Sequence, residues 1–266
     1  MGEGRGRLET GVLQCFRVPP RGHGDCFPYP AFPPLPFREG ESERGDRLDS
    51  PPVKASCVIK VGGSLLDYPE LPPRLTSYLA DLGRPNPVLV CGGGPTVDAI
   101  RRIDRAHGMD EAASHWIAVR AMTLNARMLE AIVPNLIYIE RARDLPRAWK
   151  SRKIPLLDPF IFLSEVDESS GDPLPRRWRV TSDSIAARMA ARLEAPELVL
   201  LKSAEVPEQL TVSDAAEEGI VDAQFPLATR ELDRIILVSF RGEEIRETLL
   251  EKECPGSSSS LDPPHR

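Results

Sequence analysis

Lys60 is the third residue of the apolar run Val58-Ile59-Lys60-Val61, and Gly62, Gly63 and Ser64 follow it directly. A run of this kind reads as a strand, and the glycines after it as a tight turn. The amides of such a turn can face an anion, with an ammonium beside them. A second turn of the same kind follows, where Val88-Leu89-Val90-Cys91 opens into Gly92-Gly93-Gly94 and Pro95 starts a helix. Two glycine turns at strand ends, one beside a lysine, suggest a cradle for the phosphates of a nucleotide. Phosphoryl transfer asks mainly for in-line positioning and for positive charge or amide donors around the moving group. The plain structural alternatives are an edge-strand lysine reaching solvent and two chain reversals without a ligand.

Further candidates stand at other element ends. Asp183 lies at the start of a helical stretch behind Thr181 and Ser182, where a capping and helix-dipole role is the competing reading. Lys202 closes the run Leu198-Val199-Leu200-Leu201 and offers a second positive charge. A long helical pattern carries an apolar stripe through Ala112, Trp116, Val119, Thr123 and Ala126, which reads mostly as core. His115, Arg120 and Asn125 stand beside that stripe and could reach a substrate from the helix surface. Arg101, Arg102 and Arg105 form a basic helical face whose default role is exposure to solvent. Two other phosphate-binding patterns are missing. There is no GxxxxGK[ST], and Val97 stands where a GxGxxG would need its last glycine.

The elements that must position these residues alternate along the chain. Strands are predicted at Cys57–Val61, Pro87–Cys91, Leu136–Ile139, Ile154–Leu157, Glu197–Lys202 and Arg234–Val238. Helices are predicted near Pro72–Leu82, Thr96–Ala106, Glu111–Ile132 and Asp183–Leu193. Apolar strands separated by helices imply an α/β class, a three-layer α/β/α sandwich around a mostly parallel central sheet. Ligands of such sheets sit beyond the carboxyl ends of the strands, where both glycine turns fall.

Composition narrows the function classes. The chain has 266 residues, 41% of them apolar, and a formal net charge of −6, so it can bury one substantial core. Mild acidity argues against a nucleic-acid partner, and no apolar run has the length of a membrane span. Five cysteines without CxxC or Cys/His spacing indicate neither zinc nor a disulfide framework, and a cytoplasmic setting fits them. Residues 1–52 hold nine prolines and eight glycines without sustained periodicity, and read as a disordered tail with no secretory signal. Residues 253–266, with four consecutive serines, read as a second tail. The folded domain is therefore expected over residues 53–252.

From about Cys57 to Gly242 the order of these pieces resembles the amino acid kinase superfamily, which includes carbamate, acetylglutamate, aspartate and uridylate kinases. The resemblance rests on Lys60-Val61-Gly62-Gly63-Ser64, on Gly92-Gly93-Gly94 and on the segment from Trp178 through Thr181-Ser182-Asp183 to Ala187. With His115-Trp116 and Met122-Thr123-Leu124-Asn125, the last segment is similar to one branch. That branch is the (aminomethyl)furanmethyl-phosphate kinases of methanofuran biosynthesis and their bacterial relatives in one-carbon metabolism.

The resemblance implies the amino acid kinase fold and transfer of phosphate from ATP to a small anionic acceptor, with Mg2+ held largely by the nucleotide phosphates. It implies that Lys60 and Asp183 are catalytic, the aspartate orienting the lysine. Gly62, Gly63, Ser64, Gly92, Gly93, Gly94 and Lys202 would hold the nucleotide. His115, Arg120, Asn125, Thr181 and Ser182 would meet the acceptor, and no residue is assigned as a metal ligand. A homo-oligomer is a further expectation. A uridylate or amino-acid carboxylate kinase is the alternative within the superfamily, and a nucleotide-binding scaffold without turnover is the alternative outside enzymes. The chain departs from the superfamily after Lys202. Relatives commonly carry a Thr-Asp pair there, whereas this chain reads Ser203-Ala204-Glu205.

Overall fold

The computed structural model describes residues 53–252, and both expected tails lie outside the described residues. Among the described residues seven strands form one sheet: β1 (Cys57–Val61), β2 (Pro87–Cys91), β3 (Leu136–Ile139), β4 (Ile154–Leu157), β5 (Glu197–Lys202), β6 (Arg234–Ser239) and β7 (Arg246–Leu249). Between them run α1 (Leu71–Leu82), α2 (Gly94–His107), α3 (Glu111–Ile132), α4 (Leu145–Lys150), α5 (Pro159–Phe162), α6 (Ser182–Arg192), α7 (Val212–Glu217) and α8 (Phe225–Ala228). The strand order is β3-β4-β2-β1-β5-β6-β7. Every pairing is parallel except β6 with β7.

This order places β1 at the centre, between β2 and β5. The chain builds β2, then β3 at the edge, then β4 between them on one side of β1, and returns to build β5, β6 and β7 on the other. The direction of winding therefore reverses between β1 and β5, the place where open α/β sheets leave a crevice.

Strand periodicity then decides which side chains meet. Cys57, Ile59 and Val61 of β1 pack with Leu71 and Leu75 of α1 on one face of the sheet. Val58 points to the other face, among Ile185, Ala186 and Met189 of α6, and the two-residue repeat sends Lys60 to that same face. On β5, Leu198 and Leu200 share the α6 face while Val199 and Leu201 take the opposite one, so Lys202 also faces α6. Lys60 is in register with Leu200, which sets Lys202 two residues further along the neighbouring strand. Both lysines thus arrive under one helix from adjacent strands.

The predicted six strands and four long helices are present, with ends shifted by at most two residues. β7 is a strand the sequence did not signal. It reads Arg-Glu-Thr-Leu, only Thr248 is buried, and charged residues are what an edge strand carries to stay unpaired. The helices α4, α5, α7 and α8 have only four to six residues, too few for a 3.6-residue repeat to show.

The amino-terminal end of the sheet has its own polar fastening. Glu197, buried at the start of β5, accepts from Arg84 Nε at 2.9 Å and Nη2 at 3.0 Å, and pairs with Arg234 Nε at 3.0 Å. Both arginines are about half exposed and can turn to water when the carboxylate is removed. Glu197→Ala should therefore cost about 1–2 kcal/mol, less than the ~3–5 kcal/mol of breaking a fully buried pair. A lower urea midpoint at unchanged slope is the expected readout, and an unchanged midpoint would contradict this assignment.

Candidate functional site

Three ionised side chains meet beyond the carboxyl ends of β1 and β5. Lys60 Nζ lies 3.0 Å from Asp183 Oδ1, and Lys202 Nζ lies 2.7 Å from Asp183 Oδ2. Lys202 also donates to the Ile220 carbonyl at 2.7 Å. All three groups are nearly enclosed, their side chains between 7% and 12% exposed. Burial alone would push the Asp183 carboxyl up, but the two ammonium groups outweigh it and hold the carboxyl down at about 2. Burial holds Lys202 below the ordinary lysine range in spite of Asp183. Two cations share one carboxylate, so the cluster carries a surplus positive charge. Asp183 Oδ1, though close to Lys60, has no aligned hydrogen-bond donor.

The two glycine turns close on one another beside this cluster. A Cβ on Gly63 would stand 2.3 Å from Gly94 N and 2.7 Å from Gly92 C, and one on Gly62 would stand 2.7 Å from Leu201 O. Gly94 has φ +48°, a conformation open chiefly to glycine. Glycine is thus required at these positions by backbone against backbone, before any ligand is considered. Gly62 N donates to Leu201 O at 3.0 Å and Gly92 N to Val61 O at 2.9 Å. This corrects the expectation that all the turn amides face an anion, because those two continue the sheet. The amides of Gly63, Ser64, Gly93 and Gly94 have no backbone partner outside regular elements among the described residues.

Asn125 is the fastening of the second turn. Its Nδ2 donates to Gly92 O and to Gly93 O, each at 2.7 Å, and its Oδ1 accepts from Thr96 Oγ1 at 2.8 Å. Asn125 is fully buried, which corrects its expected reach from the helix surface to a substrate. Arg120, exposed on the same helix, has a different neighbour. Its guanidinium lies 3.4 Å from the centroid of the Phe160 ring, and it is absent from the lining of the cavity described below.

The amino terminus of α6 is held by a residue that sequence reasoning missed. Asp222 Oδ2 accepts from Thr181 N at 3.1 Å, Thr181 Oγ1 at 2.7 Å and Ser184 N at 3.1 Å. Its Oδ1 accepts from Ser184 Oγ at 2.5 Å and from Gln224 N at 3.0 Å. Thr181 is the N-cap and accepts from Asp183 N at 3.4 Å. Asp222 therefore fixes the turn that presents Asp183 to both lysines. No local pattern around Asp222 signals this, since its partners lie 38 or more residues earlier along the chain, Gln224 aside. Ser203 was likewise missed: its hydroxyl meets that of Ser64 at 2.7 Å and ties the β5 end to the first glycine turn. After it, Ala204 is exposed and Glu205 turns outward to pair with Arg246 on β7.

A cavity of about 250 Å³ opens beside the glycine turns. Gly93, Gly94, Thr181 and Ser182 line one end of it. A Cβ on Gly92 would touch both the Lys60 stem and Ser182 Oγ, each at 3.0 Å, so this end adjoins the charged cluster. Val97, Ala118, Val119, Met122 and Ile185 form an apolar body. Asp98, Arg101, His115 and Trp178 complete the lining. Burial lowers the His115 pKa. The cavity thus brings together His115, Thr181 and Ser182 of the expected acceptor residues, and Arg101 of the basic face joins them.

Comparison with known proteins agrees with this architecture. The model of the amino acid kinase family matches residues 56–205. The [5-(aminomethyl)furan-3-yl]methyl phosphate kinase of Methanocaldococcus jannaschii is 28% identical over 144 residues, 54% of this chain and 63% of that relative. The chain therefore spans under two thirds of the relative's length. The UMP kinase of Ureaplasma parvum superposes with a TM-score of 0.50 at 15% identity, covering 75% of this chain and 100% of that one. The aspartate kinase of Synechocystis also gives 0.50, at 12% identity, over 74% of this chain and 40% of that one. At such identities the two structures speak for the fold.

Two substitutions test the turn geometry. Gly63→Ala should lose at least ~2 kcal/mol, because backbone rather than a flexible side chain meets the new methyl. Asn125→Ala should lose about 2–3 kcal/mol by leaving two buried carbonyls unpaired. Gly171→Ala is the control, since its Cβ would meet nothing within 4 Å. Thermal or denaturant unfolding reads all three, and a Gly63→Ala protein as stable as the control would refute the contact between the turns.

Proposed function

This chain belongs to the amino acid kinase family, and on that premise we propose that it transfers the γ-phosphoryl group of ATP to a small phosphate monoester. The proposed acceptor is an aminomethylfuran phosphate, on the route to a one-carbon carrier. The observation that carries the reading is the buried Lys60–Asp183–Lys202 cluster with its surplus positive charge. Burying two ammonium groups against one carboxylate is costly unless an anion completes the site. A polyphosphate beside the free amides of Gly63, Ser64, Gly93 and Gly94 would do so.

The residues fit the nucleotide and its metal. Among the described residues no three His, Cys, Asp or Glu side chains gather into a metal cage. Mg2+ retains water readily and is commonly held by substrate phosphates with one or two carboxylates. Asp183, with an unaligned Oδ1, is the carboxylate that would face it. When bound, the metal would neutralise phosphate charge and favour attack at the γ-phosphorus. Lys60 would face the transferred group and stabilise the charge that develops on it. Lys202 would hold the nucleotide phosphates, and Asp183 would keep both ammonium groups in place.

The chemistry of the acceptor follows from Asp183. The two ammonium groups hold the Asp183 carboxyl well below the usual carboxylate range, which makes it a weak base toward a hydroxyl. A phosphate monoester needs no such help, because its second ionisation lies near pH ~6. One of its oxygens would attack the γ-phosphorus, the bond from that phosphorus to the β-γ bridging oxygen would break, and ADP would leave. The name of the Methanocaldococcus relative, a kinase of a phosphate ester, supports the same assignment. The apolar cavity beside Ser182 is the proposed seat of the acceptor body. Cys57 and Cys91, buried and unpaired, suit a reducing cytoplasm.

An acceptor screen with ATP and Mg2+, read by product mass, tests the proposal. One phosphoryl group should be gained by a phosphate ester and not by the corresponding alcohol. Tight nucleotide binding with no product on any acceptor would favour a scaffold without turnover. Lys60→Met keeps most of the stem and removes the charge, and should cost at least ~100-fold in turnover with the fold intact.

Nucleotide preference is a second check. Glu205 is engaged by Arg246 and Ala204 has no polar side chain, so the affinity should come chiefly through phosphates. Calorimetry should give ATP over ADP over AMP, with GTP competing appreciably. Strict selectivity for adenine would place base contacts elsewhere.

A further inference from the structure

The far end of the cavity has a chemical character of its own. From His115 to Met122 the cavity follows α3 for about 10 Å, ending near the turn that Asn125 fastens. Asp98 stands one helical turn beyond Gly94, about 6 Å along α2. Asp98, His115 and Trp178 belong to one neighbourhood. The Arg177 carbonyl beside Trp178 is 3.3 Å from His115 Nδ1. Arg101, paired with Asp98, lies 5.3 Å from the centroid of the Trp178 ring.

Each of these three groups is electron-rich toward the cavity. A carbonyl can only accept, so His115 Nδ1 carries the ring proton and donates it to Arg177 O. In the neutral ring Nε2 is then an acceptor, and among the described residues His115 makes its side-chain hydrogen bond through Nδ1. Asp98 offers a carboxylate. Arg101 binds only its Oδ1, at 3.0 Å. That pair is exposed, 40% and 57%, and exposed i,i+3 pairs are weak and readily exchanged. Trp178 contributes the face of an indole, the best aromatic partner for a cation. Its ring cannot easily turn away, because Nε1 donates to Asp104 Oδ2 at 2.6 Å. Arg101, and Arg176 whose charge acts on His115, are the cations that oppose a positive ligand here.

We infer that Asp98, His115 and Trp178 hold a protonated amine of the acceptor. The cavity is then a reader of compact zwitterions, with the phosphate at Gly94 and Ser182 and the ammonium at the opposite end. Asp98 and His115 become specificity residues that meet the substrate without touching the reacting phosphorus. The inference rests on the proposed kinase reading for the position of the phosphate, and adds the group that the rest of the cavity selects.

The test compares two esters that differ only in the amine, [5-(aminomethyl)furan-3-yl]methyl phosphate and (5-methylfuran-3-yl)methyl phosphate, by calorimetry on the full chain. Hydrogen bonds to charged groups predict at least ~10-fold tighter binding of the amine-bearing ester. Asp98→Asn, at an exposed position, should bring the two affinities within ~3-fold. On the unsubstituted protein, the His115 Nε2 nitrogen resonance should move with the amine-bearing ester and stay with the other. Equal affinities, binding of neither ester, an unchanged ratio in Asp98→Asn, or a stationary His115 signal would overturn the inference. Turnover with ATP is scored separately. Phosphorylation of both esters with equal affinity would sink the amine site and keep the kinase. Strong amine preference with no phosphorylation of either would do the opposite.

Discussion

The site depends on one costly arrangement: two lysines and one aspartate enclosed under α6, with charge left over. Removing even one ion from water costs several kcal/mol after relaxation, and a buried pair repays this only with good geometry. Here the carboxylate is shared, each oxygen facing a different ammonium, so neither lysine is fully neutralised. Such a cluster is better suited to receiving an anion than to stabilising a fold. It also constrains the rest of the molecule. Lys60 and Lys202 must project from adjacent strands to the same face, and Asp183 must enter from a helix end directly above them. The central position of β1, the parallel register with β5 and the start of α6 at Ser182 are the means by which this is met.

Around the charged centre, Asn125 and Asp222 do the positioning. Asn125 spends its amide on the carbonyls of Gly92 and Gly93, and Asp222 gathers the first turn of α6. Each bonds backbone and hydroxyl groups of one short segment, so they fix a segment rather than a single side chain. The glycine turns contribute by what they lack. Their missing Cβ atoms let two loops touch and leave room for the Lys60 stem beside Ser182. A turn so defined holds its amides at fixed angles, which is what a phosphate-binding loop requires and what a flexible glycine loop would not provide.

The long helix α3 joins the two functions of the site. Asn125 near its middle fastens the turn beside the lysines, Met122 and Val119 wall the cavity, and His115 closes its far end. One rigid element therefore spans from the proposed point of transfer to the proposed point of recognition. Rigid placement over that distance is a physical means of requiring the right acceptor length, because a helix does not shorten to fit a poor substrate.

The sequence by itself determined the strands, the long helices and the residues of the charged centre. Short apolar runs such as Val58–Val61 and Leu198–Lys202 are local signals, and a lysine or glycine at a strand end stands out because burial or backbone strain makes it expensive without a reason. Amino acid kinase membership was legible for the same cause, since its marks are contiguous motifs at strand ends. Tertiary structure alone decided which of those residues touch. Asp222 reaches back 38 residues to Ser184, Ser203 reaches back 139 residues to Ser64, and neither contact leaves a periodic trace. Arg120 and Asn125 looked alike as polar residues on one helix. Yet 3.6 residues per turn set Asn125 against the glycine turn and Arg120 on the Phe160 ring, because the direction in which α3 packs is fixed by its neighbours. Edge strand β7 and the four short helices were illegible for a related reason, as their stability comes from what they lie against and not from their own few residues.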